Sequence, residues 1–283
     1  MSFTLGVLGG SGLYEMEGLR DVVELDVDTP FGKPSDVIVK GTLDNGTTLL
    51  FLPRHGKGHR IPPHQINYRA NICALKKSGA THLISVSAVG SMKEEIEPGH
   101  LVVPDQFIDL TKKRITTFFE DGVAGHVPFA DPVCALLAKA LGDACERTDA
   151  RVHRGGTYVC MEGPQFSTRA ESRVYRSWGV SVIGMTAMPE AKLAREAELP
   201  YATLALATDY DCWHETHDDV TVEAVVATMK KNVSLAKIAL VHLAGALPDP
   251  AKSTAHDAAR GAVMTAPAAV SAEARERLGW LLP

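Results

Sequence analysis

The feature that most limits how this chain can fold is a regular alternation of short apolar runs with helical patterns. Segments rich in β-branched residues predict strands at 4–8, 36–40, 47–52, 82–88, 156–162, 180–185 and 201–207. Amphipathic stretches predict helices at 65–78, 133–146, 168–177 and 189–197, and a longer helix that begins at Thr221. Strands that alternate with helices build sheets covered on both faces. We therefore predict an α/β fold, a single domain with a central mixed β-sheet flanked by helices.

The chain divides into a large core region and a short C-terminal segment. Its 283 residues, of which 45% are hydrophobic, are enough for one large domain, which we place at 1–248. Residues 249–272 are rich in alanine and contain no aromatic residue, which is typical of a loosely packed connector. The sequence SAEARERLGWLLP follows, and its leucines and Trp280 need an apolar partner. We expect residues 249–283 to dock on the core or on a neighbouring subunit.

Charge and cysteine content exclude several classes of partner. The net charge is −5, and no block of Lys and Arg exceeds three residues, so we expect no nucleic-acid partner. The five cysteines are odd in number and form no CxxC pair, as in proteins that keep their thiols reduced. The first basic residue is Arg20, unlike a signal peptide, and no uncharged apolar run reaches the ~18 residues of a membrane span. We expect a cytoplasmic protein with no membrane partner.

Two glycine-containing stretches that follow strands indicate an anion site. The stretch GVLGGSGLYE, residues 6–15, lets backbone N–H groups approach a ligand, with Ser11 as a further donor. In PRHGKGH, residues 53–59, Arg54 and His55 lie on a loop, and a guanidinium fork suits phosphate. Glu15 breaks the dinucleotide fingerprint GxGxxG. The alternatives are a tight turn for the first stretch and, for the second, a solvated basic loop or a metal site with the ligands His55, His59 and His64.

Two further stretches place small or polar residues where strands end. In SVSAVGSM, residues 85–92, Ser87 and the Ala88 N–H stand at the usual ligand position of an α/β sheet. In GMTAMPEA, residues 184–191, Met185 and Thr186 follow a strand and precede a helix that begins near Pro189. Each pattern is also compatible with close packing or an ordinary turn.

The last candidate is the pair Asp209 and Asp211 in LALATDYDCW, directly after the most continuously apolar strand. In extended geometry, residues two apart point the same way, so both carboxylates would meet one flat polar ligand or a cation. Two acids with few other carboxylates nearby make a poor metal cage. The alternative is a structural pair that caps the N–H groups of a loop.

Taken together, seven segments resemble the purine nucleoside phosphorylase superfamily, and more closely its methylthioadenosine phosphorylase branch. They match in order, without large gaps, from about residue 4 to about residue 245: GVLGGSGL, PRHGKGH, PPHQINYRAN, SAVGSM, EGPQFSTRAES, GMTAMPEAKLAREA and ATDYDCW. The resemblance implies that phosphate attacks C1′ of a purine nucleoside and releases the base. Inorganic phosphate is then a co-substrate, and no cofactor or metal is needed.

The resemblance also implies a role for individual residues. The phosphate site would be formed by Ser11, Arg54, His55, Ser87, the Ala88 backbone and Thr186. Met185 would hold the ribose hydroxyls through its backbone, and Phe166 would lie against the purine. Asp209 would protonate N7 of the leaving base, and Asp211 would accept from its 6-amino group. Donation requires a protonated Asp209, hence a pKa raised by burial and by its neighbour.

Three further matches concern the substrate's 5′ end and the assembly. Val222 and Val225 match an apolar wall suited to a methylthio group, against which a 5′-hydroxyl would remain unpaired at a cost of ~1–3 kcal/mol. His126 matches a residue that relatives supply from the adjoining subunit, and Leu281 would complete the same pocket. Both imply a homo-oligomer, a trimer or a hexamer.

The resemblance therefore implies phosphorolysis of 5′-methylthioadenosine, with three alternatives. Within the superfamily, the enzyme would prefer 5′-methylthioinosine or act on purine nucleosides generally, although 6-oxopurine enzymes typically have Asn where Asp209 stands. A nucleotide-cofactor oxidoreductase would explain the N-terminal glycines but not the broken fingerprint. A non-catalytic purine-binding protein would use the same acids but would have no reason to keep the phosphate donors.

Overall fold

A computed structural model describes residues 3–10, 12, 13, 16, 18–214 and 222–281, with side chains throughout except at 222–227. Within this part of the chain, none of the helices combines the length and the apolar character needed to cross a bilayer.

The centre of the fold is a mixed sheet, to which the described residues contribute eleven strands. The strands are β1 Thr4–Gly9, β2 Arg20–Leu25, β3 Ile38–Thr42, β4 Thr48–Pro53, β5 His82–Ser91, β6 Leu101–Val103, β7 Gln106–Asp109, β8 Val152–Arg154, β9 Thr157–Cys160, β10 Val182–Gly184 and β11 Tyr201–Asp209. Their main order is β2-β3-β4-β1-β5-β10-β9-β7, while β11 lies between β5 and β6, and β8 pairs with β6. Parallel pairs such as β1–β5 and antiparallel pairs such as β5–β10 occur together. The α/β prediction with a mixed sheet is confirmed.

Helices cover both faces of the sheet. They are α1 Tyr68–Lys77, α2 Ala135–Cys145, α3 Arg169–Ser177, α4 Ala187–Glu196, α5 Val222–Ala244 and α6 Ala272–Leu278. One apolar cluster joins α1 and α4 to one face, and a second joins α2 and α5 to the other. Strand β11 serves both clusters, since Ala205 and Ala207 lie in the first and Leu204 and Leu206 in the second. A strand buried on both faces is largely apolar, which explains the run of apolar residues from Leu204 to Ala207.

Strand β5 changes partner along one edge, and this change creates a gap. It pairs in parallel with β1 as far as Ser85 and antiparallel with β10 from Gly90. Its other edge stays paired with β11 along almost its whole length. Between Ser85 and Gly90, one edge of β5 therefore faces an opening instead of a strand, at the switch point where α/β sheets bind ligands.

The sequence did not predict four of the strands. β6 and β8 span three residues each, too short for a period-two pattern, and β7 has four. β2, with the sequence RDVVEL, is exposed along nearly its whole length, so no apolar alternation marks it. In each case, pairing with a neighbouring strand overrides a weak local pattern.

The C-terminal segment packs more tightly than its composition indicated. Ala255, Ala258, Ala259 and Ala262 are buried. Small side chains allow the backbone to approach the core closely at these four positions. Trp280 meets the ring of Phe118 edge-on at 5.0 Å between centroids, so the tail of this chain contacts its own core.

Helix α3 begins with a capping box that can be tested directly. Thr168 accepts a hydrogen bond from the Glu171 N–H, and the Glu171 carboxylate accepts from the Thr168 N–H. We expect Thr168→Ala to lower the free energy of unfolding by ~0.5–2 kcal/mol, because the N–H of Glu171 loses its acceptor. Denaturant unfolding at fixed protein concentration measures this. Thr168→Ser keeps the acceptor and is the control; equal stability of the alanine and serine variants would show that the cap contributes nothing.

Candidate active site

The gap beside β5 presents a backbone donor. Within a strand, the N–H and C=O of one residue point to the same edge, and those of the next residue to the opposite edge. The Val86 carbonyl accepts from Arg54 Nη1 at 3.0 Å, so it faces the gap. Two residues further, the Ala88 N–H points into the same gap. A ligand bound there would meet this N–H without competing with a neighbouring strand.

Two buried hydroxyl groups lie at the same place. Thr186 Oγ1 donates to Ser87 Oγ at 3.1 Å, and Ser87 Oγ donates to the Ala88 carbonyl at 3.1 Å. Tyr158 Oη lies 3.3 Å from Ser87 Oγ, which closes the network from β9. Thr186 stands at the N-cap of α4 without capping it, so its hydroxyl turns to Ser87 rather than to the helix backbone. The structure thus brings Ser87, Ala88 and Thr186 together.

Arg54 directly follows β4, and its guanidinium extends to the same gap, where it donates hydrogen bonds to several groups. Its side chain is 2% exposed and pairs with Glu190 through Nε and, at 3.2 Å, through Nη2. Nη2 also donates to the Leu8 carbonyl at 3.0 Å and to Ser85 Oγ at 2.7 Å. Nη1 carries two hydrogens and makes one bond, to Val86. Within the described residues, one Nη1 hydrogen is therefore left for a ligand.

His55 is held in a single neutral form. Burial, followed by the charge of Arg54, lowers its pKa to about 4. Its Nδ1 lies 2.8 Å from the Ile61 carbonyl, and an acceptor at that distance requires the proton to be on Nδ1. Nε2 is then an acceptor, suited to the hydroxyl of a monoprotonated phosphate. The metal alternative gains no support, because His55 stacks on His59 and no group of three potential ligands occurs in the described part of the chain.

Asp209 and Asp211 both lie directly against Gly90 of β5. A Cβ on Gly90 would lie 2.9 Å from Asp209 Oδ1 and 3.3 Å from Asp211 Cβ, so only glycine leaves room for both. The expected extended geometry is wrong, because β11 ends at Asp209 and Asp211 adopts a left-handed conformation with φ of 53°. The Asp211 N–H donates to Asp209 Oδ1 at 2.8 Å, so the turn itself joins the two acids.

Both acids have raised pKa values. Burial raises the pKa of Asp209 and the charge of Asp211 adds to it, although the Thr208 hydroxyl at 2.7 Å and the Asp211 N–H act against the rise. Burial also raises the pKa of Asp211, opposed by a hydrogen bond from Ser172. Perturbed carboxyl groups at the end of a strand, beside a gap, are typical of catalytic sites.

Arg114 fixes the backbone around Met185. Its buried guanidinium donates through Nη1 to the carbonyls of Met185, at 2.7 Å, and Met188, at 2.6 Å. Nη1 also donates to Tyr68 Oη at 2.8 Å, and Nε pairs with Glu162 at 2.9 Å. The conformation of Met185 is thus set by a residue 71 positions earlier in the chain.

Sequence reasoning missed three residues of this site: Glu190, Arg114 and Ser172. Glu190 and Ser172 lie inside segments that carried the resemblance, and an acid at the start of the apolar α4 was an available signal for Glu190. Arg114 was noticed only as part of a short basic block. Each acts across a long sequence distance, which no local pattern records.

For the remaining candidates, the described residues show no hydrogen bond or ring contact with the groups that line the gap. Phe166 is 51% exposed, and Leu281 is half-buried against the first apolar cluster. His126 borders a separate cavity of about 480 Å³ whose lining includes Phe119, Phe129, Lys192 and Glu196. Ser11 and the side chains of Val222 and Val225 lie outside the described residues.

Comparisons with known proteins identify the family to which the chain belongs. A family model for the phosphorylase superfamily matches residues 4–244. S-methyl-5′-thioadenosine phosphorylase of Geobacter sulfurreducens is 58% identical over 283 residues, covering 100% of this chain and 99% of the relative. The protein of the same name from Thermosynechococcus vestitus is 51% identical over 286 residues, covering 100% and 99%.

Solved structures give the same result. The crystal structure of a methylthioadenosine phosphorylase from an Antarctic soil metagenomic library is similar with a TM-score of 0.94, at 47% identity, covering 100% of this chain and 99% of that one. Methylthioadenosine phosphorylase from Schistosoma mansoni in complex with adenine is similar with a TM-score of 0.86, at 36% identity, covering 93% and 98%.

The Arg54–Glu190 pair yields a prediction on stability. Glu190→Gln should lower the free energy of unfolding by ~3–5 kcal/mol, because a buried guanidinium loses its counter-ion. Denaturant unfolding measures the change. The double variant Arg54→Met/Glu190→Leu should recover most of the stability, since no buried charge remains.

The exposed pair Arg20–Asp44, whose side chains are 72% and 66% exposed, provides the control. Asp44→Asn should change the free energy of unfolding by less than ~1 kcal/mol. If Glu190→Gln had an effect as small as this control, the buried pair would not be the constraint inferred here.

Proposed function

The chain belongs to the phosphorylase superfamily, and we propose that it cleaves 5′-methylthioadenosine with inorganic phosphate. The products are adenine and 5-methylthioribose 1-phosphate, so the protein is a pentosyltransferase of purine and methionine salvage. The observation that carries this function is the pair Asp209 and Asp211, two acids with raised pKa values beside a gap lined by hydroxyl, N–H and guanidinium donors. Full-length similarity to methylthioadenosine phosphorylases supports the same conclusion.

Phosphate binds in the gap beside β5. The Ala88 N–H and the free Nη1 hydrogen of Arg54 donate to its oxygens, and neutral His55 accepts from its hydroxyl. The hydroxyls of Ser87 and Thr186 rotate away from their present acceptors, Ala88 O and Ser87 Oγ, and donate to phosphate oxygens instead. Ser11 adds a donor according to the family resemblance. Held below the sugar, the dianion stabilises the positive charge that develops at C1′ as the bond to the base breaks.

The purine binds with its imidazole ring and 6-amino group toward the two acids. Protonated Asp209 donates to N7 and neutralises the charge of the leaving base, while ionised Asp211 accepts from the 6-amino group. Burial supplies the raised pKa that keeps the proton on Asp209. Met185, held by Arg114, positions the ribose hydroxyls, and Phe166 covers the purine face.

A homo-oligomer completes the site. His126 borders the cavity described above and Leu281 packs against the first apolar cluster; on the family resemblance, we assign both to a neighbouring subunit's 5′ pocket. Val222 and Val225 provide its apolar wall. We favour a trimer located in the cytoplasm.

The reaction is tested by incubating the protein with 5′-methylthioadenosine, with and without phosphate, and following adenine release by chromatography. We expect phosphate-dependent release, with adenosine cleaved more slowly and 5′-methylthioinosine more slowly still. Adenosine tests the apolar 5′ wall, and methylthioinosine tests the acids. Release that does not depend on phosphate would indicate hydrolysis and contradict the assignment of Arg54 and His55.

The role of Asp209 predicts opposite effects on turnover and stability. Asp209→Asn should reduce kcat by ~100-fold or more, because Asn cannot protonate N7. The raised pKa means that the stability contributed by this group is greatest at low pH and is lost as pH rises through the folded-state pKa. The variant should therefore gain stability relative to the native protein as pH rises.

Steady-state rates and denaturant unfolding at several pH values measure the two effects of Asp209→Asn. Thr203→Val, which removes a buried hydroxyl on the same strand that contacts Tyr201, is the control and should leave the pH dependence of turnover unchanged. A near-normal rate for Asp209→Asn would exclude Asp209 as the general acid.

A further inference from the structure

We propose that Ser172 is a positioning residue that fixes Asp211 as a hydrogen-bond acceptor, and that it thereby determines the preference for 6-amino over 6-oxo purines. The proposal rests on the function assigned above to Asp211. None of the family matches that carried the site assignment gave Ser172 a role; the structure alone places it there.

The contact between Ser172 and Asp211 is short and completely enclosed. Ser172 lies in the second turn of α3 and has no exposed surface. Its Oγ donates to Asp211 Oδ2 at 2.5 Å, a separation typical of a hydroxyl that donates to an ionised carboxylate. A hydroxyl has one hydrogen, so this bond commits it. Within the described residues, Asp211 Oδ1 receives no side-chain donor and is the oxygen available to a ligand.

Burial and a neighbouring acid raise the pKa of Asp211, whereas hydrogen bonds from Ser172 and then from the N–H and thiol of Cys212 lower it. Burial is the largest effect that raises its pKa, and Glu171 on α3 adds to the rise. Tyr175, on the same helix, and Asp209, on β11, also interact with its charge, and Cys212 contacts Oδ2 at 3.9 Å. The hydrogen bond from Ser172 is the largest effect that lowers the pKa of Asp211. Arg169 donates to the Cys212 carbonyl rather than to the carboxylate, so it does not replace Ser172.

The charge on Asp211 also affects its partner. An ionised Asp211 raises the pKa of Asp209, which keeps the proton on Asp209, where N7 needs it. Ser172 therefore acts on both acids, directly on Asp211 and through it on Asp209. The proton is assigned to the acid that faces N7, and the charge to the acid that faces the 6-position.

Substrate preference follows from this assignment. An ionised carboxylate only accepts hydrogen bonds, so it pairs with a 6-amino group but repels a 6-oxo group. A protonated Asp211 would instead donate to a 6-oxo group. Loss of the Ser172 hydroxyl should therefore shift the preference from 5′-methylthioadenosine toward 5′-methylthioinosine.

The experiment compares kcat/KM for these two substrates across pH in the native protein and in Ser172→Ala. We expect the ratio of the two kcat/KM values to fall by about tenfold or more, the effect of a hydrogen bond to a charged group. Activity on methylthioadenosine needs ionised Asp211 and is lost as pH falls through its pKa. Because the variant raises that pKa, this acidic limb should move to higher pH.

Three further variants separate the proposal from a packing effect. Ser172→Thr retains the hydroxyl and should restore both the ratio and the acidic limb. Ser172→Cys keeps the volume with a weak donor, so it should reproduce the shifts even if Ser172→Ala folds poorly. Thr208→Val removes the corresponding hydroxyl from Asp209 and should shift the alkaline limb upward instead, with the acidic limb unchanged.

The possible results are distinct. Equal losses on both substrates without a pH shift would mean that Ser172 only packs, and would overturn this proposal while the proposed function stands. A native protein without phosphorolysis would overturn the proposed function and this proposal together.

Discussion

The buried ion pair between Arg54 and Glu190 is the interaction on which the rest of the site depends. Arg54 binds Leu8 on β1, Ser85 and Val86 on β5 and Glu190 on α4, so one guanidinium joins the two strands and the helix that border the gap. Removing two charges from water is costly, and the cost is offset only when nearly every donor is satisfied, as it is here. The pair therefore constrains geometry more than it adds stability, and it fixes the Nη1 group whose second hydrogen has no acceptor among the described residues and is proposed to meet phosphate.

The change of partner along β5 explains why the site lies where it does. Below Ser85 the strand is closed by β1 and beyond Gly90 by β10, so the opening between them is set by strand lengths and pairing. Residues that line it need no special conformation, because a regular strand already points the Ala88 N–H into the gap. The anion site is thus a property of sheet topology, to which Ser87 and Thr186 contribute hydroxyls.

Burying Asp209 and Asp211 costs stability, but it gives both carboxyl groups the raised pKa values on which the proposed reaction depends. Burial raises the pKa of both, which makes each charge costly, yet the proposed reaction needs one acid neutral and the other ionised. The two carboxyl groups differ in their hydrogen-bond donors. Within the turn, the Asp211 N–H donates to Asp209, and the hydroxyl of Ser172 on α3 donates to Asp211. Gly90 makes the arrangement possible because a side chain there would occupy the space of both carboxylates.

The sequence by itself determined the architecture and much of the chemistry. Apolar runs such as residues 201–207 predicted the buried strands, because a strand covered on both faces is largely apolar. The resemblance of its motifs to a known family predicted Arg54, Ser87, Thr186 and Asp209 as site residues. Only the tertiary structure decided how these residues are held. Glu190, Arg114 and Ser172 act across 136, 71 and 39 residues respectively, through bonds that exist only once distant segments pack together. Local periodicity reports which face of an element is buried, but not which polar group meets it there.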